Sequence, residues 1–194
     1  MPVNAETITA VALGIALSAS AGFRVFIPLL AASLAAINGW IDVPPEMSWL
    51  ASWPALICFA TAAVTEIAAY YIPFIDNLLD TVSTPLAIGA GTLMAYAIFP
   101  QENQTGFVKW MLALLAGGGS AGVLQAGTGL LRLFSSKATA GTGNAFVATG
   151  ENAAAVGSVS LSFLFPVLVA ACLLLLIGWV LWKWIRRSFH TSDG

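Results

Sequence analysis

The sequence has little charge. It contains 7 lysines and arginines and 9 aspartates and glutamates among 194 residues, so 8% of its residues are charged, where soluble domains carry about 25%. So few charges cannot cover a water-facing surface, which excludes a soluble globular enzyme. The same scarcity of charge excludes a nucleic-acid binder, because such a protein needs a basic face. With 59% hydrophobic residues, the chain is also too apolar to be disordered.

Histidine and cysteine are equally scarce. The one histidine, His190, lies in the polar tail, and Cys58 and Cys172 each lie inside a long apolar run, where we expect small buried hydrophobic residues. The sequence has no His-rich or Cys-rich group with metal-ligand spacing and no serine–histidine pair at membrane depth. We therefore expect a protein that is not an enzyme and has no cofactor, while its carboxylates leave open a bound monovalent or divalent cation.

Long uncharged runs identify an integral membrane protein, since a spanning helix needs about 20 apolar residues. They predict an all-α, polytopic fold of about five hydrophobic segments in a single membrane domain over residues 1–194. The segments lie near 7–38, 49–72, 81–99, 108–134 and 152–184. Turn and loop signals lie between them, at 42–46, 73–80, 100–106 and 137–151.

Two of these segments are too long for one straight crossing. At 1.5 Å per residue, 7–38 would extend roughly 48 Å, against a hydrocarbon core of about 30 Å, and 152–184 has the same excess. Each is either strongly tilted or broken into half-helices or a re-entrant hairpin. Gly22 in the first segment and Pro166 in the second favour a break, which is tolerated only where protein or water satisfies the freed backbone.

The C-terminal basic residues and a short repeated tripeptide give information on the membrane topology. Lys183, Arg186 and Arg187 follow the last segment, which places the C-terminus in the cytoplasm. The tripeptide Ser-Ala-Gly at 20–22 recurs at 120–122, as in an inverted repeat with halves 6–100 and 107–187. In a chain rich in alanine, glycine, serine and leucine, matches this short also arise by chance.

Polar residues in or beside the apolar segments are the candidates for a substrate or ion site, because an ionisable group at the membrane centre costs about 2.5–3.5 kcal/mol or more. They are Arg24, Glu66, Asp76, Asp80, Asn144, Glu151 and Asn152. Arg24 stays protonated and needs an anionic partner or water, so it contacts an anionic substrate or a carboxylate, forms a structural ion pair, or snorkels to an interface. Glu66 either pairs with Arg24, couples to a proton, or lies at an interface.

The other candidates also have two interpretations each. Asp76 and Asp80 lie four residues apart, so their carboxylates would repel each other on one helix face. A bound cation, a shared proton or Arg24 would reduce this repulsion. The same spacing also occurs in a solvated amphipathic turn. Glu151 and Asn152 either cap the last apolar segment or join Asn144 as the second half of a polar centre.

The stretch from 117 to 129 contains six glycines. Gly117, Gly118 and Gly122 predict close helix packing, within the chain or in a homo-oligomer, because glycine lets helix backbones approach each other in a membrane. No Gly-Lys-Ser or Gly-Lys-Thr follows them, so they do not form a phosphate-binding loop.

The run ALSASAGFRVFIPLL at 16–30 resembles the start of the bacterial membrane family catalogued as domain of unknown function 4126. Further matching positions are Ser52-Trp53-Pro54, Glu66, Ile72 to Asp76, Asp80, Thr84-Pro85, Gly143-Asn144 and Glu151. The resemblance implies a small polytopic protein of the bacterial inner membrane and singles out the same polar positions, but it implies no activity. Ala145 follows Asn144 where the family pattern has proline.

The short stretch from Phe23-Arg24 to Pro28 is also similar to DedA-type membrane proteins. These proteins are associated with lipid-phosphate translocation, so the resemblance implies that Arg24 contacts a phosphate. It rests on one arginine close before a proline and is an analogy.

Three functions are open at this point. The first is a transporter or permease for a small ion or solute, in which the polar residues converge and a proton or cation is coupled. The second is a lipid-phosphate carrier or lipid-binding protein that holds a lipid head group on Arg24. The third is a structural or assembly protein without a transported substrate. The expected partners are the bilayer, the transported species and further copies of the chain, with no nucleic acid.

Overall fold

A computed structural model describes residues 4–100, 106–139 and 142–190, with the side chains at 73, 74, 76, 77, 80, 184 and 187–190 outside the description. All regular secondary structure in the described part is helical, as the sequence predicts. The helices are α1 (Ala5–Ser20), α2 (Phe26–Ile37), α3 (Trp53–Ala69), α4 (Pro73–Ile98), α5 (Gly106–Leu112), α6 (Gly119–Thr139), α7 (Asn144–Leu164) and α8 (Pro166–His190). A 3-10 helix, Pro45–Ala51, precedes α3, and a π-helical segment, Ala113–Gly118, joins α5 to α6.

Three helical stretches in the described residues are long and apolar enough to cross a membrane: Thr81–Ile98, Gly106–Thr139 and Pro166–Lys183. A fourth is added if the 3-10 helix and α3, which are bent by 61° relative to each other, count as one span. Helices α1 and α2 are apolar but shorter. By length and composition, these helices are consistent with an integral membrane protein.

The first long segment, 7–38, is a broken hairpin. Gly14 in α1 lies against Phe99 at the end of α4, and further along α1 the Ser18 hydroxyl donates to the Gly91 carbonyl at 2.7 Å, so α1 runs antiparallel to α4. The far half of α2 returns to the same end, where the Ser33 hydroxyl donates to the Leu50 carbonyl at 2.7 Å. The turn between the two arms, residues 21–25, therefore lies deep within the bundle.

The last long segment, 152–184, is also two helices. Helix α7 ends at Leu164 and α8 begins at Pro166, because proline has no N–H for the helical ladder and its ring clashes with the preceding turn. Phe163 packs on Trp40 beyond the end of α2, whereas Val180 lies beside Gly127, near the middle of α6. The two helices thus run in opposite directions.

Two predicted loops are wrong. The segment 73–80 opens α4, since Pro73 occupies the first turn, where its missing N–H is not needed. The segment 137–151 is mostly helix as well, because α6 continues to Thr139 and α7 begins at Asn144. In both places, turn-forming residues mark a helix start instead of a loop.

The glycines of the 117–129 stretch lie against α4 within the same chain. A Cβ on Gly117 would collide with the Gly91 carbonyl oxygen, and a Cβ on Gly118 would lie 2.5 Å from Thr92 Oγ1. A Cβ on Gly122 would lie 2.9 Å from an Ile88 methylene carbon. The backbones of α4 and the α5–α6 stretch approach closely because these side chains are absent.

The expected burial of the cysteines is wrong. Cys58 and Cys172 are both exposed, on the outer faces of α3 and α8. An apolar run predicts burial only when the outside of a protein is polar. The outer face of this bundle is itself apolar, with Ile57, Val64 and Leu175 more than 60% exposed.

Candidate functional site

Arg24 lies in the turn of the α1–α2 hairpin and is 1% exposed. Its guanidinium group points at the first half of α7. Nε donates to Asn152 Oδ1 at 2.5 Å, Nη1 donates to Glu151 Oε2 at 2.8 Å, and Nη2 donates to the Ala148 carbonyl at 3.1 Å. The arginine therefore has a carboxylate partner and is not exposed at an interface.

Arg132 in α6 shares that carboxylate. Its Nε donates to Glu151 Oε1 at 3.1 Å, and its Nη2 donates to Glu151 Oε2. Arg132 is 3% exposed and Glu151 is 5% exposed, so Glu151 joins two buried arginines from different helices. Arg132 was not among the residues predicted for the site; its position as a charge inside the apolar segment at 108–134 was the available signal.

Tyr70, directly after α3, packs on both arginines. The centroid of its ring lies 3.9 Å from the guanidinium carbon of Arg24 and 3.9 Å from that of Arg132. The ring is 3% exposed, so these cation–π contacts are shielded from solvent. Tyr70 was not among the predicted site residues; its spacing of four residues from Glu66, on one helix face, was the available signal.

We expect Tyr70→Leu to lower the free energy of unfolding by about 2 kcal/mol relative to Tyr70→Phe, because phenylalanine keeps an aromatic face for the arginines and leucine does not. Unfolding by a denaturing detergent, followed by tryptophan fluorescence, measures this difference. Equal stability of the two variants would show that the ring acts only by filling space.

Glu66 binds the other side of the hairpin turn. Its Oε1 accepts from the Val25 backbone N–H at 2.9 Å, and its Oε2 accepts from the Phe26 N–H at 3.0 Å. Glu66 is 7% exposed, and no side chain within α2 caps this helix start. A carboxylate from α3 therefore satisfies the free N–H groups at the start of α2 and complements the positive end of its dipole.

A short polar path leads from the cluster to the surface. Asn152 Nδ2 donates to the Tyr71 hydroxyl at 3.3 Å, and this hydroxyl lies 3.0 Å from Thr149 Oγ1. Tyr71 is 46% exposed, while Arg24 and Glu151 behind it are enclosed. Asn152 thus connects the buried charges with the outside of the bundle.

The structure brings four of the predicted site residues together at the hairpin turn: Arg24, Glu66, Glu151 and Asn152. We call these four, with Arg132 and Tyr70, the polar cluster. Asn144 lies elsewhere, at the start of α7, where its side chain exchanges hydrogen bonds of 2.9 and 3.2 Å with Ser136. The side chains of Asp76 and Asp80 lie outside the described residues. Within the described part of the chain, no group of three or more His, Cys, Asp or Glu residues could hold a metal ion.

An open groove lies next to the cluster, because α3 packs on α2 and diverges from α4. One cavity of about 530 Å³ is lined by Val25, Glu66 and Tyr70, among other residues. A second cavity of about 620 Å³ continues toward Trp49 and shares Val25, Phe26, Cys58 and Leu86 with the first. We call the two together the α3–α4 groove.

Comparison with known proteins relates the chain to one family. The family model described as "Domain of unknown function (DUF4126)" matches residues 11–186, a range that includes the whole polar cluster and the α3–α4 groove. No curated protein and no solved structure matches the chain.

Proposed function

The chain belongs to the family described as Domain of unknown function (DUF4126), and since that description assigns no activity, we propose from the site that the protein is a small permease-like membrane transporter. The observation that carries the proposal is the broken α1–α2 hairpin, whose turn holds Arg24 among buried charges from three other helices. Transporters commonly place their substrate and coupling ion at such helix breaks.

The depth of the turn supports the proposal. Gly22, just before Arg24, would place a Cβ 2.6 Å from Leu124 Cβ and 2.6 Å from the Ala121 carbonyl oxygen. Both residues lie near the middle of the Gly106–Thr139 span. In a bilayer, the hairpin turn would therefore lie within the hydrocarbon core, where charges are costly and are retained mainly for function.

The exchange of partners within the cluster supplies a mechanism. Arg24 and Arg132 balance Glu66 and Glu151, so the four described charges sum to zero. A substrate anion would bind an arginine or the start of α2 by displacing a carboxylate, and a cation would bind a carboxylate by displacing an arginine. When an anion displaces a carboxylate, the freed buried carboxylate favours uptake of a proton. When a cation displaces an arginine, the arginine stays protonated and needs another anion or water. We propose coupling to a proton or a cation, with no catalytic step and no cofactor.

The topology we propose has five crossings, made by α3, α4, α5–α6, α7 and α8. The α1–α2 hairpin enters and leaves at one face. Lys183 and Arg186 near the end of α8 support a C-terminus on the cytoplasmic side of a bacterial inner membrane, and in this proposed topology the hairpin enters from the outside.

Proteoliposomes that contain a pH-sensitive dye test the proposal. We expect a gradient of sodium, potassium or inorganic phosphate to move protons faster than in protein-free vesicles, and we expect Glu66→Gln to reduce the rate at least tenfold. Glutamine cannot ionise, and its amide offers only one acceptor to the N–H groups of Val25 and Phe26. Glu6→Gln, on an exposed face of α1, is the matched control and should retain the rate. Rates equal to those of empty vesicles under every gradient would contradict the proposal and favour a structural role.

The second candidate function is a lipid-phosphate carrier, which the α3–α4 groove favours because it opens sideways beside the hairpin turn. The orientation of Arg24 weighs against it, since the guanidinium is enclosed by α7 and does not line the groove. Scrambling of a fluorescent lipid phosphate in the same vesicles, abolished by Arg24→Gln, would favour this candidate over the first.

A further inference from the structure

We propose that the α3–α4 groove binds one hydrocarbon chain of a membrane lipid, with the lipid head group at the Trp49 end and the end of the chain near Glu66. This lipid site is additional to the transport site proposed at the polar cluster.

The groove is continuous and has apolar walls. Its two cavities share Val25, Phe26, Cys58 and Leu86, so they form one channel along α3. Most of the remaining lining is apolar, and Glu66 is the one charged residue among the described residues that line it. Such a surface binds hydrocarbon and offers little to a hydrated ion.

The position of the groove selects a lipid chain as its occupant. It opens between two helices whose outer faces are apolar, with Ile57 on α3 62% exposed and Leu86 on α4 45% exposed. In a bilayer, the residues that line an empty groove would lose van der Waals contacts. A hydrocarbon chain from the surrounding lipid would restore these contacts. From Pro54 to Glu66, α3 rises about 18 Å, so the groove beside it is long enough to hold a hydrocarbon chain.

The polarity of the two ends determines the direction of the lipid. Trp49 and Ser52 line the outer end, and the neighbouring Trp53 is 67% exposed, which is the pattern of a membrane–water interface. At the inner end, both oxygens of Glu66 accept backbone N–H groups from α2, and the negative carboxylate would repel the phosphate of a lipid head group. The head group therefore belongs at the tryptophan end.

A filled groove tests the site. An added Cβ at Gly89, which lines the groove, meets nothing within 4 Å, so Gly89→Phe should fill the groove without disturbing the backbone. Gly178 in α8 is equally open and exposed, which makes Gly178→Phe the matched control. We expect native mass spectrometry of the full chain, extracted from phosphatidylglycerol vesicles, to show one retained lipid that Gly89→Phe reduces at least fivefold and Gly178→Phe leaves unchanged. Gly89→Leu replaces Gly89→Phe if the larger side chain prevents folding.

A second measurement locates the acyl chain of the bound lipid. Phosphatidylglycerol with a diazirine at the end of one acyl chain should form adducts on Thr61 and Thr65 in preference to the exposed face of α8. Equal lipid retention by the two phenylalanine variants, or adducts spread evenly over α8, would overturn the proposal. Disulfide-linked dimers through Cys58, in a Cys172→Ala chain, would also overturn it by showing that a second copy covers the groove.

The outcomes separate the two proposals. Loss of proton movement in Glu66→Gln, together with unchanged lipid retention, supports transport at the polar cluster and agrees with a separate lipid site. Lipid retention that depends on Gly89 in a chain that moves no protons would support the lipid site and reject the transporter.

Discussion

Replacing Glu151 with glutamine is expected to lower the free energy of unfolding by about 3–5 kcal/mol, the largest effect of any single polar substitution in this chain. Glu151 is the carboxylate that Arg24 and Arg132 share, and all three side chains are buried. Glutamine has nearly the same shape but no charge, so both guanidinium groups lose their common anion in a region of low dielectric. Removing one partner of a buried ion pair costs more than the pair itself contributes.

Unfolding in mixed micelles, followed by tryptophan fluorescence, measures this loss. Glu6→Gln is the control, because Glu6 is exposed in the first turn of α1 and its substitution should change stability by less than about 0.5 kcal/mol. In the double variant Glu151→Gln with Arg24→Met, part of the loss should be recovered, since one unpaired charge has been removed. A Glu151→Gln protein as stable as the wild type would show that water or another group replaces the carboxylate.

Gly117→Leu is expected to prevent the normal packing of α4 against the α5–α6 stretch. A Cβ at Gly117 collides with the Gly91 carbonyl oxygen and lies 2.6 Å from Ala95 Cβ, so the backbones themselves would have to separate. Overpacking of a core costs about 1–3 kcal/mol where side chains can adjust, and here the main obstacle is backbone. We therefore expect a loss at or above the upper end of that range, with little folded protein recovered.

Gly119→Leu, two residues away, is the matched control for Gly117→Leu. An added Cβ at Gly119 meets nothing within 4 Å, so the same change of residue should be tolerated. Size-exclusion chromatography and thermal denaturation of the two purified variants measure the difference. If both variants fold equally well, the close approach of α4 is not required; if both lose an oligomer while remaining folded, the glycines serve contacts between chains.

Segment length left two alternatives, a strong tilt or a break, and Gly22 and Pro166 favoured the break that the structure shows. A 32-residue apolar segment cannot cross about 30 Å of hydrocarbon as one straight helix, and the structure breaks 7–38 at residues 21–25 and 152–184 at Phe165. The loops at 73–80 and 137–151 were predicted wrongly because proline, glycine and asparagine begin helices as readily as they form turns. Local composition does not distinguish these two uses.

The sequence by itself determined that the chain is an apolar helical protein and that Arg24, Glu66 and Glu151 need partners, because a buried charge is costly wherever it lies. Which partners they have was decided by the tertiary structure. Arg24 pairs with Glu151, 127 residues away, and Glu66 binds the start of α2 instead of pairing with the arginine. These pairings depend on how α7 and α3 pack around the hairpin turn, and no local spacing encodes contacts between helices so distant in sequence.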